Sequence, residues 1–392
     1  MNILPVRVSG DPRANEQLLY FTSSSLLSDD RQLIFLSDRT GCPNIFWRNM
    51  DTGEERQLTS NTAGYLKSYV YFDGIPYAGL GKASVSVHAP SGMVYYLQGR
   101  QIRSVDLRGR ERVLAEYPED QMTAFTHVSA DGSRLCVPTT DARALDGGKQ
   151  LPGQPDFDID ARVQAEHLSS WLHIYDTATG KEIAREPVPD AWVTHVQFSP
   201  LDANVVVYNH EWPSACCGIR RMWLWDGKQH RRLRTEGAAD WTCHEMWERD
   251  GRAILYHGSY EGGSAYIGRV RPDGSKRVEI ALPGGWKRYG HFTEGGAGLL
   301  VSDGYYEEPG DGEPAGWGGS WISILHVDWE ARRIDWQPLC VSGSSWKSQD
   351  AHPHPIFNHA ADAVYFTSDR EGKRAVYRIA VPKRSAEPAS RG

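Results

Sequence analysis

Apolar and polar residues alternate along this chain in short runs that stop at turns rich in Asp and Gly. The first clear run is Gln32-Leu33-Ile34-Phe35-Leu36-Ser37-Asp38-Arg39, entered through Ser28-Asp29-Asp30-Arg31. Asn44-Ile45-Phe46-Trp47, the turn Asp51-Thr52-Gly53, and Arg56-Gln57-Leu58-Thr59 follow it. A period of two between such turns predicts strands, and no sustained 3.6-residue period competes with it. The same grammar returns at Met93–Leu97, Arg134–Val137, Val205–Tyr208, Ala253–Tyr256, Gly298–Val301 and Ala363–Arg370, the last followed by Ala375–Ala380. Seven units at a mean spacing of roughly 50 residues fall in the range of propeller blades. The expected fold is therefore all-β, a seven-bladed β-propeller of four-stranded antiparallel blades, forming one domain over residues 1–381.

The last unit stops short of a fourth strand. The segment around Leu18-Leu19-Tyr20-Phe21 is expected to complete that blade and so close the ring, leaving few exposed edges. Asp141 to Ser169, rich in Asp, Gly, Pro and charge, interrupts the third unit and is expected to crown one face as a loop, where propeller function usually resides. From Pro382 onward the chain is polar, and a disordered tail is expected.

Composition narrows the function. A chain of 392 residues exceeds one ordinary compact core but suits a closed propeller. The net charge of −7, with no basic run to offset it, argues against nucleic acid or an anionic membrane as partner. A small acidic ligand would need a local cationic pocket. No leader-like or membrane-spanning apolar run stands out, so the chain reads as soluble and cytoplasmic. Cys42, Cys136, Cys216, Cys217, Cys243 and Cys340 form no CxxC pair, and the adjacent Cys216 and Cys217 read as packed or loop thiols rather than a bridge.

Gln349-Asp350-Ala351-His352-Pro353-His354-Pro355 is the stretch richest in chemistry. In an extended strand His352 and His354 would face the same way and could reach one metal ion. Pro353 places the piece at a strand start or in a loop. Two readings stay open on these residues alone: a pair of metal ligands, or the polar rim of the channel.

His352-Pro353-His354-Pro355 followed by Phe366-Thr367-Ser368-Asp369, together with Thr242-Cys243-His244-Glu245-Met246-Trp247 before Asp250-Gly251, resembles the oligogalacturonate lyases of pectin breakdown. Arg221-Met222-Trp223-Leu224 and His291 fall where that family has matching motifs, and the likeness runs from about Trp192 to Val381. The resemblance implies that His291, Gln349, His352 and His354 hold a divalent metal ion, manganese in that family. It also implies that His244 is the general base and Arg221 the cation beside the substrate. Taken singly, His244 reads sooner as a hydrogen-bonded rim histidine and Arg221 as half of a surface ion pair.

The implied reaction is β-elimination in a short uronate oligosaccharide. Removing the weakly acidic C5 proton pushes charge onto a carboxylate that is already anionic, which a metal ion and an arginine would offset. A neutral histidine takes the proton, the C4 oxygen leaves, and a 4,5 double bond remains. His195, His210 and Glu211 sit where the family carries comparable residues and are candidates to line the substrate site. Asp303 is expected to fix a turn or orient a ligand histidine. Trp212, Trp241 and Trp247 could stack on sugar, although most of the fourteen tryptophans must be packing.

One departure stands out. Family members carry a Cys-His-Arg stretch before the first repeat, whereas this chain reads Asn15-Glu16-Gln17-Leu18-Leu19-Tyr20-Phe21 there, and Arg39 is the candidate to compensate. Altered selectivity is the consequence. Two competing readings follow: a lyase acting on glucuronate or another uronate-containing glycan, and a non-catalytic propeller that binds a protein or peptide. The second would need neither the paired histidines nor Arg221.

Overall fold

The alternation of the first unit becomes a sheet of Glu16–Gln17, Gln32–Ser37, Asn44–Asn49 and Glu55–Gln57, in that order, each strand antiparallel to the next. Phe35 lies opposite Phe46 and Leu36 opposite Ile45, so the apolar faces coincide. In this computed structural model the described residues are 4–62, 66, 80, 83–145, 159–211, 221–235, 237, 240–260, 265–282, 290–306, 319–347 and 349–382. Among the expectations raised above, Trp212, Cys216, Cys217, residues 146–158 and the tail beyond residue 382 lie outside them, as does the side chain of Gln349.

Seven such sheets follow in chain order, giving the β-propeller expected from the sequence. The inner strands of the second to seventh blades begin at Val85–His88, Gln121–Thr123, Val196–Phe198, Trp241–Trp247, Phe292–Gly296 and Ile356–Phe357. In the third blade the inner position is split, His127–Val128 also pairing with Arg134–Asp141. Faces of neighbouring blades meet in apolar layers. Leu36 and Ile45 of the first pack with Val85, Val94 and Tyr96 of the second, all buried. Each such large side chain contributes about 1.5–3 kcal/mol of burial free energy. Helix is nearly absent: the described residues hold one seven-residue α-helix, Ile159–Ala165, and two 3-10 turns.

The strand that completes the seventh blade is not the one expected. Val6–Arg7 occupies its outer position, with Val6 opposite Arg378. Leu18 to Phe21 instead continue from the inner strand of the first blade and turn at Tyr20, whose carbonyl accepts from the Ser23 amide at 3.0 Å. Burial explains the difference. Leu18, Leu19, Tyr20 and Phe21 are all buried, which suits the centre of the ring, whereas Val6 is 65% exposed, which suits an outer edge.

The insertion in the third blade joins its second and third strands. Its described parts include the 3-10 turn Ala142–Leu145 and the helix Ile159–Ala165. Ala144, Ile159 and Val163 are buried in one apolar cluster with Tyr20, Phe21, Phe125 and Trp192. The insertion therefore packs beside the residues that line the candidate site. The four described cysteines, Cys42, Cys136, Cys243 and Cys340, are unbridged.

Candidate active site

Because every blade starts from its inner strand, the entries to those strands converge at one end of the channel. His291 precedes Phe292–Gly296 of the sixth blade, and His352 and His354 precede Ile356–Phe357 of the seventh. The three histidines are buried, and one ligand atom from each lies within 4.8 Å of the others. The extended-strand argument for His352 and His354 does not apply, because His354 has φ of 45° and the segment is no strand there. A left-handed residue costs about 1–2 kcal/mol and marks a constrained position.

Asp303 holds that position. It is fully buried on the strand Leu299–Tyr306, its Oδ2 accepting from the His354 amide at 3.0 Å and its Oδ1 from the His291 amide at 2.5 Å. Oδ2 also lies 3.0 Å from His291 Nδ1. A carboxylate there keeps the proton on Nδ1, which leaves Nε2 as the lone-pair nitrogen. His291 Nε2 faces His354 Nε2 at 3.1 Å. Two imidazole nitrogens directed at one another, with a third beside them and a carboxylate behind, fit a divalent first-row ion. Burial pushes the Asp303 carboxyl up, against the pull of His354 and the amide it binds at His291.

His244 reaches this cluster through a break in register. Cys243 pairs with His257 and Met246 with Leu255, so His244 and Glu245 together oppose the single residue Tyr256. That is a β-bulge, with His244 at φ of 50°. The bulge aims His244 into the channel, where its ring lies 4.3 Å from His291 and 5.3 Å from Phe21. Its Nδ1 lies 2.7 Å from His257 Nε2 and 3.0 Å from the Gly290 carbonyl. Burial, then the neighbouring His291, His257, Arg221 and His195, holds His244 well below the ordinary histidine pKa. The shift favours the neutral ring, the form from which an imidazole can accept a proton.

Glu245, the other bulged residue, turns to Arg221. Arg221 has a side chain only 1% exposed, and it donates from Nε to Glu245 Oε2 at 2.8 Å and from Nη1 to Glu211 Oε1 at 3.5 Å. Burial opposes its charge, but Cys243, Glu245 and Glu211 outweigh that and raise its pKa. Nη2 of Arg221 and Nδ2 of Asn209 both donate to His195 Nδ1, at 3.2 and 3.1 Å. Its other nitrogen, Nε2, therefore carries the hydrogen and donates to the Tyr20 hydroxyl at 3.1 Å. The Tyr20 ring stacks on Phe125 at 4.0 Å and meets His354 edge-on at 5.0 Å.

Residues 171–385, more than half of the sequence, match the family described as oligogalacturonate lyase. The chain belongs to the oligogalacturonate lyase family. An oligogalacturonide lyase of Pectobacterium atrosepticum is 28% identical over 203 residues, 49% of this chain and 50% of that protein. The match thus spans about half the length of that curated relative. Among solved structures, an oligogalacturonate lyase in complex with manganese superposes with a TM-score of 0.74 at 21% identity, covering 97% of this chain and 94% of that one. An oligogalacturonate lyase from Vibrio parahaemolyticus gives 0.75 at 23% identity, with the same coverage. At such identities these two likenesses concern the fold.

In this family member the fold gathers His195, Glu211, Arg221, His244, His291, His352 and His354 in one buried neighbourhood. His210 borders it, its amide donating to the Arg221 carbonyl at 2.9 Å, but its ring stacks on Trp223 at 5.2 Å. Arg39 belongs to a different cluster: it is ion-paired to Glu16 and Glu55, with its guanidinium 4.5 Å from the centre of the Phe46 ring. Gln349 begins the 3-10 turn that leads to His352. Trp247 is packing, its indole donating to the Gln197 carbonyl at 3.2 Å, and Trp241 meets His257 edge-on at 5.3 Å.

Sequence reasoning missed five residues that touch this site: Tyr20, Phe21, Phe125, Glu245 and His257. Tyr20 and Phe21 read as strand because their run is apolar. The histidine in Tyr256-His257-Gly258 sat inside an ordinary alternating strand, and only the pairing opposite Cys243 gives it meaning.

Proposed function

We propose that this chain is a lyase that cleaves short uronate oligosaccharides, galacturonate-containing ones first among them, by metal-assisted β-elimination. The observation that carries the reading is a buried His244 set 4.3 Å, ring to ring, from the His291 member of a three-histidine ligand group, its pKa depressed first by burial. Proton abstraction beside a carboxylate needs that pairing of base and electrophile.

His291, His352 and His354 would hold the ion, with Gln349 as the fourth ligand that the resemblance implies. Manganese bound there would supply a Lewis acid for the substrate carboxylate, offsetting the charge that builds as C5 loses its proton. Asp303 fixes the His291 tautomer so that Nε2 faces the ligand position. His244 takes the C5 proton on its lone-pair nitrogen, the C5–H electron pair becomes the 4,5 double bond, and the C4–O bond breaks. Arg221 enters as the cation of a buried network that includes Glu211 and Glu245, so His195 and Tyr20 carry its influence to the channel. Burial keeps water from competing for the base.

The test is to incubate the protein and manganese with a panel of saturated and unsaturated uronate di- and trisaccharides. Elimination gives new ultraviolet absorbance and products whose summed mass equals that of the substrate. Products heavier by one water, or no cleavage of any panel member, would sink the reading.

A second reading has one observation in its favour. Tyr20 and Phe21 end the Asn15–Phe21 segment that lacks the Cys-His-Arg stretch of the family, and they set aromatic rings, Tyr20 stacked on Phe125, against His195, His244, His291 and His354. Aromatic faces pack on the apolar faces of sugars, which favours a uronate-containing glycan in which the neighbouring sugar is uncharged. Preference within the same panel decides it.

A further inference from the structure

We propose that His257 is a positioning residue that fixes the ring plane of His244, in the tautomer set by the Gly290 carbonyl. The catalytic meaning of this role rests on the lyase reading above; the hydrogen-bonding argument does not.

Nδ1 of His244 has both the Gly290 carbonyl and His257 Nε2 within hydrogen-bonding distance, at 3.0 and 2.7 Å. A carbonyl oxygen only accepts, so the Gly290 contact requires the hydrogen to be on Nδ1. His257 Nε2 then presents its lone pair to the same hydrogen, and His257 carries its own on Nδ1. A neutral imidazole has one N–H and one lone pair, so Nε2 of His244 becomes the basic nitrogen. The opposite tautomer would place an N–H where the base must be, and would be inert.

Neither partner has room to move. A Cβ on Gly290 would lie 1.6 Å from the Asp303 carbonyl oxygen, so only glycine lets this backbone sit against the sixth blade. On the other side, a Cβ on Gly258 would lie 2.0 Å from the Trp241 carbonyl oxygen, which clamps the strand that carries His257. His257 is 2% exposed, its ring 5.3 Å from Trp241 and 5.0 Å from Phe292. The bulged His244 is thus held by two fixed acceptors. Cys243, His244 and His257 also offer ligand atoms within 4.8 Å of one another, but the Gly290 carbonyl 3.0 Å from His244 Nδ1 gives that nitrogen a hydrogen-bond partner in place of an ion.

Neutron diffraction from deuterated, manganese-loaded crystals at neutral pH reads the tautomer directly. The expected result is a deuteron on His244 Nδ1 and none on Nε2. In His257→Phe the deuteron should stay on Nδ1, held by the Gly290 carbonyl, but the His244 ring should no longer keep a single plane, and kcat should fall about 10–100-fold, the scale of a misplaced reacting group, with KM within about 2-fold. His257→Gln, which keeps an acceptor oxygen, should recover most of the loss and controls for folding. A deuteron on His244 Nε2 in the parent would overturn the proposal. So would an unchanged His244 ring plane with unchanged kcat in His257→Phe, or a second ion bound at Cys243 and His257. If the parent cleaves nothing in the uronate panel, the lyase reading fails, while the diffraction result still decides the tautomer.

Discussion

Arg221→Met removes a cation from a site that water cannot reach. The side chains left behind, Glu245 and Glu211, are 1% and 3% exposed and would lose partners at 2.8 and 3.5 Å. Breaking a buried pair by deleting one member costs about 3–5 kcal/mol, because the surviving charge stays desolvated. His195 also loses a donor to Nδ1, a further cost of about 1 kcal/mol. The melting temperature should therefore fall by about 5–10 °C, taking a modest slope for a chain of this length. Circular dichroism melts and urea unfolding of the metal-loaded protein measure it. Combining Arg221→Met with Glu245→Gln should return part of the loss, with a coupling of about 1–3 kcal/mol in the double-mutant cycle. The result separates two roles. If Arg221→Met melts within about 1 °C of the parent yet loses activity, the guanidinium serves the substrate directly and the buried-network reasoning is wrong.

His352→Ala should lose most bound manganese, measured by elemental analysis, while keeping its melting profile apart from the metal contribution; full metal and activity would remove His352 from the ligand set. For His244→Ala, turnover should fall by about two to four powers of ten, the range for a positioned general base, with metal content unchanged. Acid should destabilise the fold through two half-buried neutral histidines, His127 and His210. Burial pushes His127 and His210 down to about 4, and His127 Nδ1 accepts from the Phe198 amide at 3.1 Å, which requires the neutral ring. Their folded pKa values lie below the unfolded one, so their contribution is complete above about pH 6.5 and is lost as pH falls toward 4. The slope is at most about 1.4 kcal/mol per pH unit for each. Urea midpoints at pH 7 and pH 5 check this, and equal midpoints would contradict it.

The ring was legible because each blade carries its own alternation and turns, which are local signals. The closing strand was not, since Val6–Arg7 lies on an outer edge where no apolar period is required. His352 and His354 were legible by spacing, but they meet through a left-handed turn at His354 rather than on one face of a strand. Glu245 and His257 depend on a register slip between two strands, and no single stretch of sequence records which residue of one strand faces which residue of the other. Arg39 was misplaced for a related reason. Its charge is taken up by Glu16 and Glu55, and the pairing appears only when the first blade is assembled.

Asp303 has a consequence for how the protein comes apart. It belongs to the sixth blade yet grips the backbone of His354, which leads into the seventh, and that blade is held shut by the two-residue strand Val6–Arg7. Partial unfolding in proteins follows such weakly secured units before global loss of structure. Peeling of Val6–Arg7 would slacken the seventh blade and draw His354 away from Asp303 and His291, while the sheets of the other six blades remain. Under rising urea, catalysis should then fade ahead of the far-ultraviolet signal. In this ring the active centre doubles as a latch across a seam, and its silence would be the earliest sign that the circle has begun to open.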